Sequence, residues 1–137
     1  MPDEVVVDAS VAAKLFISED GSEAARALAS SDVRFVAPDF VLVELANVAV
    51  KRLRRREISR ELAERMTATS RSLFRDLAPA ATLTARAFEL AADHGLSTYD
   101  AVYVALGEVR GCDVVTSDLR LIARVAAAGL SVAVRAP

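Results

Sequence analysis

Asp8, Glu44, Asp100 and Asp118 are acids set in largely apolar stretches of a 137-residue chain. Asp8 ends the run Val5-Val6-Val7. Glu44 interrupts Phe40-Val41-Leu42-Val43 and Leu45-Ala46. Asp100 is the only charge between Ser97 and Leu106, and Asp118 follows Val114-Val115-Thr116-Ser117. An ionised carboxylate in such surroundings is costly unless it is paired or binds a cation. Few basic residues lie near any of the four in sequence. Brought together, the four would repel one another and raise at least one pKa, unless divalent cations neutralised them. Oxygen-only ligands suit Mg²⁺ or Mn²⁺ rather than zinc. Such ions activate a water and stabilise the leaving oxygen of a phosphodiester, and paired ions would sit ~4 Å apart. The expected chemistry is metal-assisted phosphodiester hydrolysis.

Each acid also has a simpler reading. Asp8 or Ser10 could cap the first helix, and Asp118 or Ser117 a later one. Ser97-Thr98-Tyr99-Asp100 has the spacing of a capping box. Glu44 resists this reading, because it falls inside a helix on an otherwise apolar stretch. The coincidence of all four favours a site.

The elements that would position them follow from periodicity and punctuation. Glu4 to Asp8 reads as a strand buried on both faces. Helices are expected over Ser10–Ile17 and Ser22–Ala29, then a strand over Arg34–Ala37, stopped by Pro38. Asp39 is placed as N-cap of a long helix to about Arg55. Ser59 is placed as cap of a helix reaching roughly to Asp76, with a short strand over Leu77–Ala80. Helices over Thr84–His94 and Ser97–Val109 stop at Gly95 and Gly111. Asp113–Thr116 reads as a strand, Leu119–Ala128 as a helix and Leu130–Val134 as a last strand. This order implies an α/β sandwich with a mainly parallel sheet and helices on both faces. In such sheets, sites form outside the carboxyl ends of the strands. Asp8 and Asp118 lie at or just past strand ends, and Glu44 and Asp100 lie in early helical turns facing the same edge.

Composition narrows the alternatives. One cysteine, Cys112, excludes an internal disulfide and fits a reducing compartment. One histidine, His94, argues against a His-rich zinc site or a catalytic triad. Net charge is −2, so no global basic field attracts nucleic acid. The N-terminus shows no leader pattern and no apolar run reaches a membrane span, so a cytoplasmic protein of one domain is expected. A receiver-like cation-binding module would want a second acid beside Asp8 and a lysine late in the chain, yet lysine occurs only at 14 and 51. An aspartyl-nucleophile phosphatase would want a second Asp where Ser10 stands.

In order and spacing, Val5-Val6-Val7-Asp8-Ala9-Ser10, Glu44-Leu45-Ala46-Asn47, Tyr99-Asp100-Ala101-Val102-Tyr103 and Thr116-Ser117-Asp118 resemble PIN-domain ribonucleases. The nearest resemblance is to the VapC toxins of type II toxin–antitoxin pairs. It covers nearly the whole chain, 1–137, and implies a PIN-like α/β/α sandwich. It further implies a Mg²⁺- or Mn²⁺-dependent endoribonuclease that cleaves RNA and blocks translation. Homodimers and inhibition by a cognate VapB-like antitoxin are implied as well. Asp8, Glu44, Asp100 and Asp118 match the family's acids, and Ser10 and Thr116 its small hydroxyl positions. Gly107, where alanine is commoner, and Ser117 are small departures.

Other polar residues have two readings each. Asn47 could orient Glu44 or a metal-bound water, or be a surface residue. Lys14, four residues past Ser10, could touch RNA phosphate or be solvated. Lys51, Arg52 and Arg55 belong to the basic run 51–56. That run could contact RNA or antitoxin, or be a solvated helix end favoured by the macrodipole. Tyr99 and Tyr103, four apart and facing one side, are assigned to packing first and a dimer contact second, and Asp113 is left out as lying at the opposite strand end.

Overall fold

A computed structural model describes residues 3–137. Five strands form one parallel sheet: β1 (Glu4–Val7), β2 (Arg34–Pro38), β3 (Asp76–Ala78), β4 (Val114–Val115) and β5 (Val134–Arg135). Their order across the sheet is β3-β2-β1-β4-β5. The registers pair Val6 with Val36 and with Val114, which centres β1. Val5, Val6 and Val7 are almost wholly buried, as a central strand covered on both faces requires. Each such side chain contributes about 1.5–3 kcal/mol by leaving water.

Seven helices flank the sheet: α1 (Ala9–Ala13), α2 (Ser22–Ala29), α3 (Val41–Arg54), α4 (Arg60–Thr69), α5 (Thr84–His94), α6 (Thr98–Arg110) and α7 (Leu119–Ala128). Helix α6 lies on β1, β2 and β4 and packs against α5, which also meets α7. Helix α3 packs on α1 and α4, and α1 on α2. A smaller apolar cluster of Ile17, Ala49, Ala63 and Met66 joins the end of α1 to α3 and α4.

The architecture matches the sequence expectation, and its boundaries move for identifiable reasons. Pro38 does not stop β2 but ends it, paired with Ala78 of β3. Asp39 is therefore not the cap of α3. Its N–H donates to the Ala78 carbonyl at 2.8 Å, and its carboxylate accepts the Ala80 N–H at 3.2 Å. The long helix from Ser59 ends at Thr69, passing through a 3₁₀ turn over Ser70–Leu73. Beyond it, buried Phe74 turns into the core and the Arg75 N–H donates to the Phe35 carbonyl, which pulls the chain into the sheet. The last strand starts at Val134 rather than Leu130.

Candidate active site

Asp8 follows β1 at the carboxyl edge of the sheet, where chain direction reverses into α1. One carboxylate oxygen accepts the Ser10 hydroxyl at 2.6 Å and the Val11 N–H at 3.2 Å. The other accepts the Thr116 hydroxyl at 2.5 Å. Thr116 is fully buried just past β4, and its oxygen accepts the Asp118 N–H at 3.1 Å. The Ser117 N–H donates to Ser10 Oγ at 3.0 Å. Two adjacent loops, after β1 and after β4, are thus tied together through Asp8, Ser10 and Thr116.

The cap readings hold at three of these positions. Asp8 caps α1. Asp118 caps α7, accepting the Arg120 and Leu121 N–H groups at 3.0 and 3.3 Å. Ser97 caps α6 through the Asp100 N–H at 3.0 Å, which fixes Asp100 in the first turn. Glu44 stands in the first turn of α3. Helices α1, α3 and α7 follow β1, β2 and β4, and α6 follows α5 and leads into β4.

Charge states report the convergence. Burial raises the pKa of Asp8; hydrogen bonds from Ser10, Thr116 and Val11 oppose this, and the charge of Asp100 adds to it. Burial also raises Glu44, against the hydrogen bond from Tyr103, and the charges of Asp8 and Asp100 push it further. Asp100 is raised by burial and by Asp118, and Ser97 and Arg124 oppose. The four acids therefore feel one another across the rim. Among the described residues, no lysine or arginine forms an ion pair with any of them. Equally, among the described residues no three carboxylate, imidazole or thiol groups stand close enough to enclose a metal ion. Asp100 and Asp118 line one shallow pocket with Ser97 and Arg124. As a donor set the four acids are hard, anionic, self-repelling oxygens in no ion pair among the described residues, Arg124 near Asp100 being the one cation whose charge opposes the rise of its pKa, and this set fits a divalent cation of the Mg²⁺ or Mn²⁺ type.

Tyr103 is the residue that sequence reasoning missed. It is 3% exposed, and its hydroxyl donates to Glu44 Oε1 at 2.5 Å. Burial, then the charge of Glu44, pushes the phenol pKa far up, so it remains a donor. The signal was a tyrosine inside the aliphatic run Ala101–Leu106, since a buried hydroxyl needs a partner. Tyr99, one turn earlier, is exposed, whereas Tyr103 is buried. Both rings meet Phe40 edge-on, at centroid distances of 5.8 and 5.6 Å.

Other expectations resolve differently. Asn47 is exposed and makes no side-chain hydrogen bond among the described residues, so it does not orient Glu44 here. Lys14 is not freely solvated: its ammonium donates to Glu19 at 3.3 Å and to the Asp20 carbonyl at 2.7 Å. Arg52 pairs with Glu19 at 2.6 Å and Glu57 at 3.2 Å. Asp113 pairs with Arg135 at 3.0 Å, away from the rim. Ala9 and Ser10 follow Asp8 and no lysine lies beyond Lys51, so the adjacent acid and late lysine of a receiver-like module are lacking.

Comparison with known proteins agrees with this geometry. The PIN domain family model matches residues 5–128. Ribonuclease VapC3 of Pyrobaculum aerophilum is 35% identical over 120 residues, covering 86% of this chain and 92% of the relative. The crystal structure of Mycobacterium tuberculosis VapC20, a Sarcin-Ricin loop cleaving toxin, superposes with a TM-score of 0.69 at 23% identity, covering 92% of this chain and 95% of that one. VapBC2 from Rickettsia felis, solved bound to a DNA fragment from their promoter, gives 0.67 at 12% identity, covering 98% and 99%. These two structures speak for the fold alone. The family match and the curated relative together mean that this chain belongs to the PIN-domain family, among the VapC ribonucleases.

Proposed function

We propose that this chain is a Mg²⁺- or Mn²⁺-dependent endoribonuclease, the toxin of a toxin–antitoxin pair, acting in the cytoplasm to block translation by cutting RNA. The carrying observation is that Asp8, Glu44 and Asp100, three carboxylates raised by burial and by the charge of others among the four acids, form no ion pair among the described residues, with the charge of Arg124 alone opposing the rise at Asp100. Such an arrangement is tolerable when a divalent cation shares the rim. Asp8, Asp100, Asp118 and Glu44 would hold it. When bound, that cation supplies a nucleophilic water and charge stabilisation for phosphodiester hydrolysis. Ser10 and Thr116 fix the Asp8 carboxylate in one orientation from both sides. Tyr103 holds one oxygen of Glu44 and leaves the other to face the rim. Thr116 also holds the Asp118 backbone, so the acid after β4 is indexed to the acid after β1. A VapB-like antitoxin is the proposed partner, and a homodimer the proposed assembly; the VapBC2 neighbour supports the former.

The test is incubation of the antitoxin-free protein with total RNA in Mg²⁺, in Mn²⁺ and in EDTA, beside Asp8→Asn. Discrete cuts that require metal and vanish in the variant are expected. Cutting by Asp8→Asn at the parent rate would remove the site assignment, and cutting in EDTA would remove the metal.

A further inference from the structure

A groove of about 230 Å³ lies between α1 and α3 beside the acid rim, lined by Ser10, Lys14, Glu19, Lys51, Arg52 and Arg55. Its two walls lead away from the rim. On α3, Glu44, Val48, Lys51, Arg52 and Arg55 fall on one helical face, so the face that carries Glu44 at the rim carries three cations further along. On α1, Ser10 and Lys14 are one turn apart, and Ser10 is the hydroxyl that holds Asp8. One anion, Glu19, joins the walls by accepting from Lys14 and Arg52. That pairing fixes two of the four cations. Lys51 and Arg55 are exposed and form no ion pair among the described residues.

We propose that this groove is a phosphate subsite for the RNA strand, holding backbone phosphates on one side of the bond that is cut. The proposal rests on the nuclease reading above. A chain whose net charge is −2 and whose reaction centre is acidic repels a polyanion, so a strand needs local cationic contacts to lie across the rim. A solvated helix end would treat all its arginines alike. Here Lys51, Arg52 and Arg55 line the groove, whereas Arg54, in the same run and also exposed, does not. The fourth cation, Lys14, comes from the end of another helix, α1, so cations of two separate elements converge on one groove. An acidic peptide would satisfy the same charges. Continuity with a rim suited to phosphodiester chemistry favours RNA.

The experiment measures binding of a fluorescent single-stranded RNA to the full chain in EDTA across a salt series, for the parent, for Lys51→Ala/Arg55→Ala and for Arg54→Ala. The same proteins are assayed for cleavage with Mn²⁺. The double variant is expected to bind more weakly, and its slope of log K against log salt should fall by about 1.4, two phosphate contacts at about 0.7 each. In cleavage its KM should rise with kcat little changed, and Arg54→Ala should match the parent in both assays. A parent slope and parent KM in the double variant would overturn the subsite and leave the nuclease standing. An equal loss in Arg54→Ala would overturn it in favour of general surface charge. Loss of binding to a polyglutamate peptide but not to RNA would overturn it in favour of an acidic protein partner.

Discussion

The Tyr103 hydroxyl donates to Glu44 Oε1 at 2.5 Å across 59 residues of sequence, joining the buried face of α6 to the first turn of α3. Charge-assisted hydrogen bonds of this kind are short and directional. This one leaves Glu44 a single oxygen free to turn toward the rim. Phe40 packs edge-on against the same ring and limits its movement.

Tyr103→Phe keeps the ring and deletes the donor. Partners that orient a metal-binding side chain typically cost about 10- to 100-fold in affinity or activity when lost. The expected result is Mn²⁺ binding weakened about tenfold, with kcat reduced by a similar factor and a melting temperature close to the parent's. Calorimetric Mn²⁺ titration reads the effect without RNA. Unchanged Mn²⁺ affinity would show that Glu44 needs no orientation from α6.

Without metal, the acid rim should make stability fall as pH rises. Folding raises the pKa values of Asp8, Glu44 and Asp100 above their ordinary values of 3.8 for Asp and 4.5 for Glu. Between those values and the raised ones, the folded state binds more protons than the unfolded state. The stabilisation is thus complete below the ordinary values and is lost as pH rises through the raised ones. In EDTA the melting temperature should decline across that window, with a shallower decline in Asp8→Asn. Mn²⁺ at neutral pH should raise the melting temperature of the parent more than that of the variant. A melting temperature that climbs across the window would contradict the burial and mutual repulsion that raise these acids.

Thr116 serves two acids with one hydroxyl, as donor to Asp8 and acceptor from the Asp118 N–H. Thr116→Val preserves shape at a fully buried side chain but takes a donor from the Asp8 carboxylate and an acceptor from the Asp118 N–H. An unsatisfied buried polar group costs about 1–3 kcal/mol. Thermal unfolding should show a loss in that range, together with reduced cleavage. Thr116→Ser should recover cleavage more fully than stability, since it restores the hydroxyl but not the methyl. Equal activity in the Val and Ser variants would separate Asp8 orientation from catalysis.

Much of the fold was legible because its signals were local. Val5–Val7 declared a central strand, Ser59 and Ser97 capped the expected helices, and Gly95, Gly111 and Gly129 ended theirs in left-handed conformations. Errors arose where a long-range partner displaced the local choice. Asp39 has the chemistry of a cap, but the pairing of Pro38 with Ala78 brings β3 alongside and claims its hydrogen bonds. The four acids stood out because each broke an apolar pattern. Tyr103 was passed over because an aromatic at helical spacing has a sufficient explanation in packing. Its role requires knowing that α3 crosses nearby. Lys14 was likewise unreadable, since Glu19 becomes its partner only once the turn after α1 folds back.

Gly107 provides a case where helix propensity and packing oppose each other. It sits inside α6 with an ordinary helical backbone, at the position where the VapC resemblance expects alanine. Alanine would favour the helix by roughly 1 kcal/mol. A Cβ there would nonetheless lie 2.7 Å from Val114 Cγ2, 2.8 Å from Val132 Cγ2 and 3.1 Å from the Cys112 carbonyl. Val114 is fully buried in β4 and Cys112 presents backbone, so neither yields without moving the sheet. Overpacking typically costs about 1–3 kcal/mol, enough to exceed the helical gain. Gly107→Ala should therefore lower the melting temperature by a few degrees. Val132→Ala should cost less in the Gly107→Ala background than in the parent, because it removes one of the clashes while opening its cavity. Additive effects of the two substitutions, or a stabilised Gly107→Ala protein, would mean that β4 and the segment before β5 adjust freely to α6.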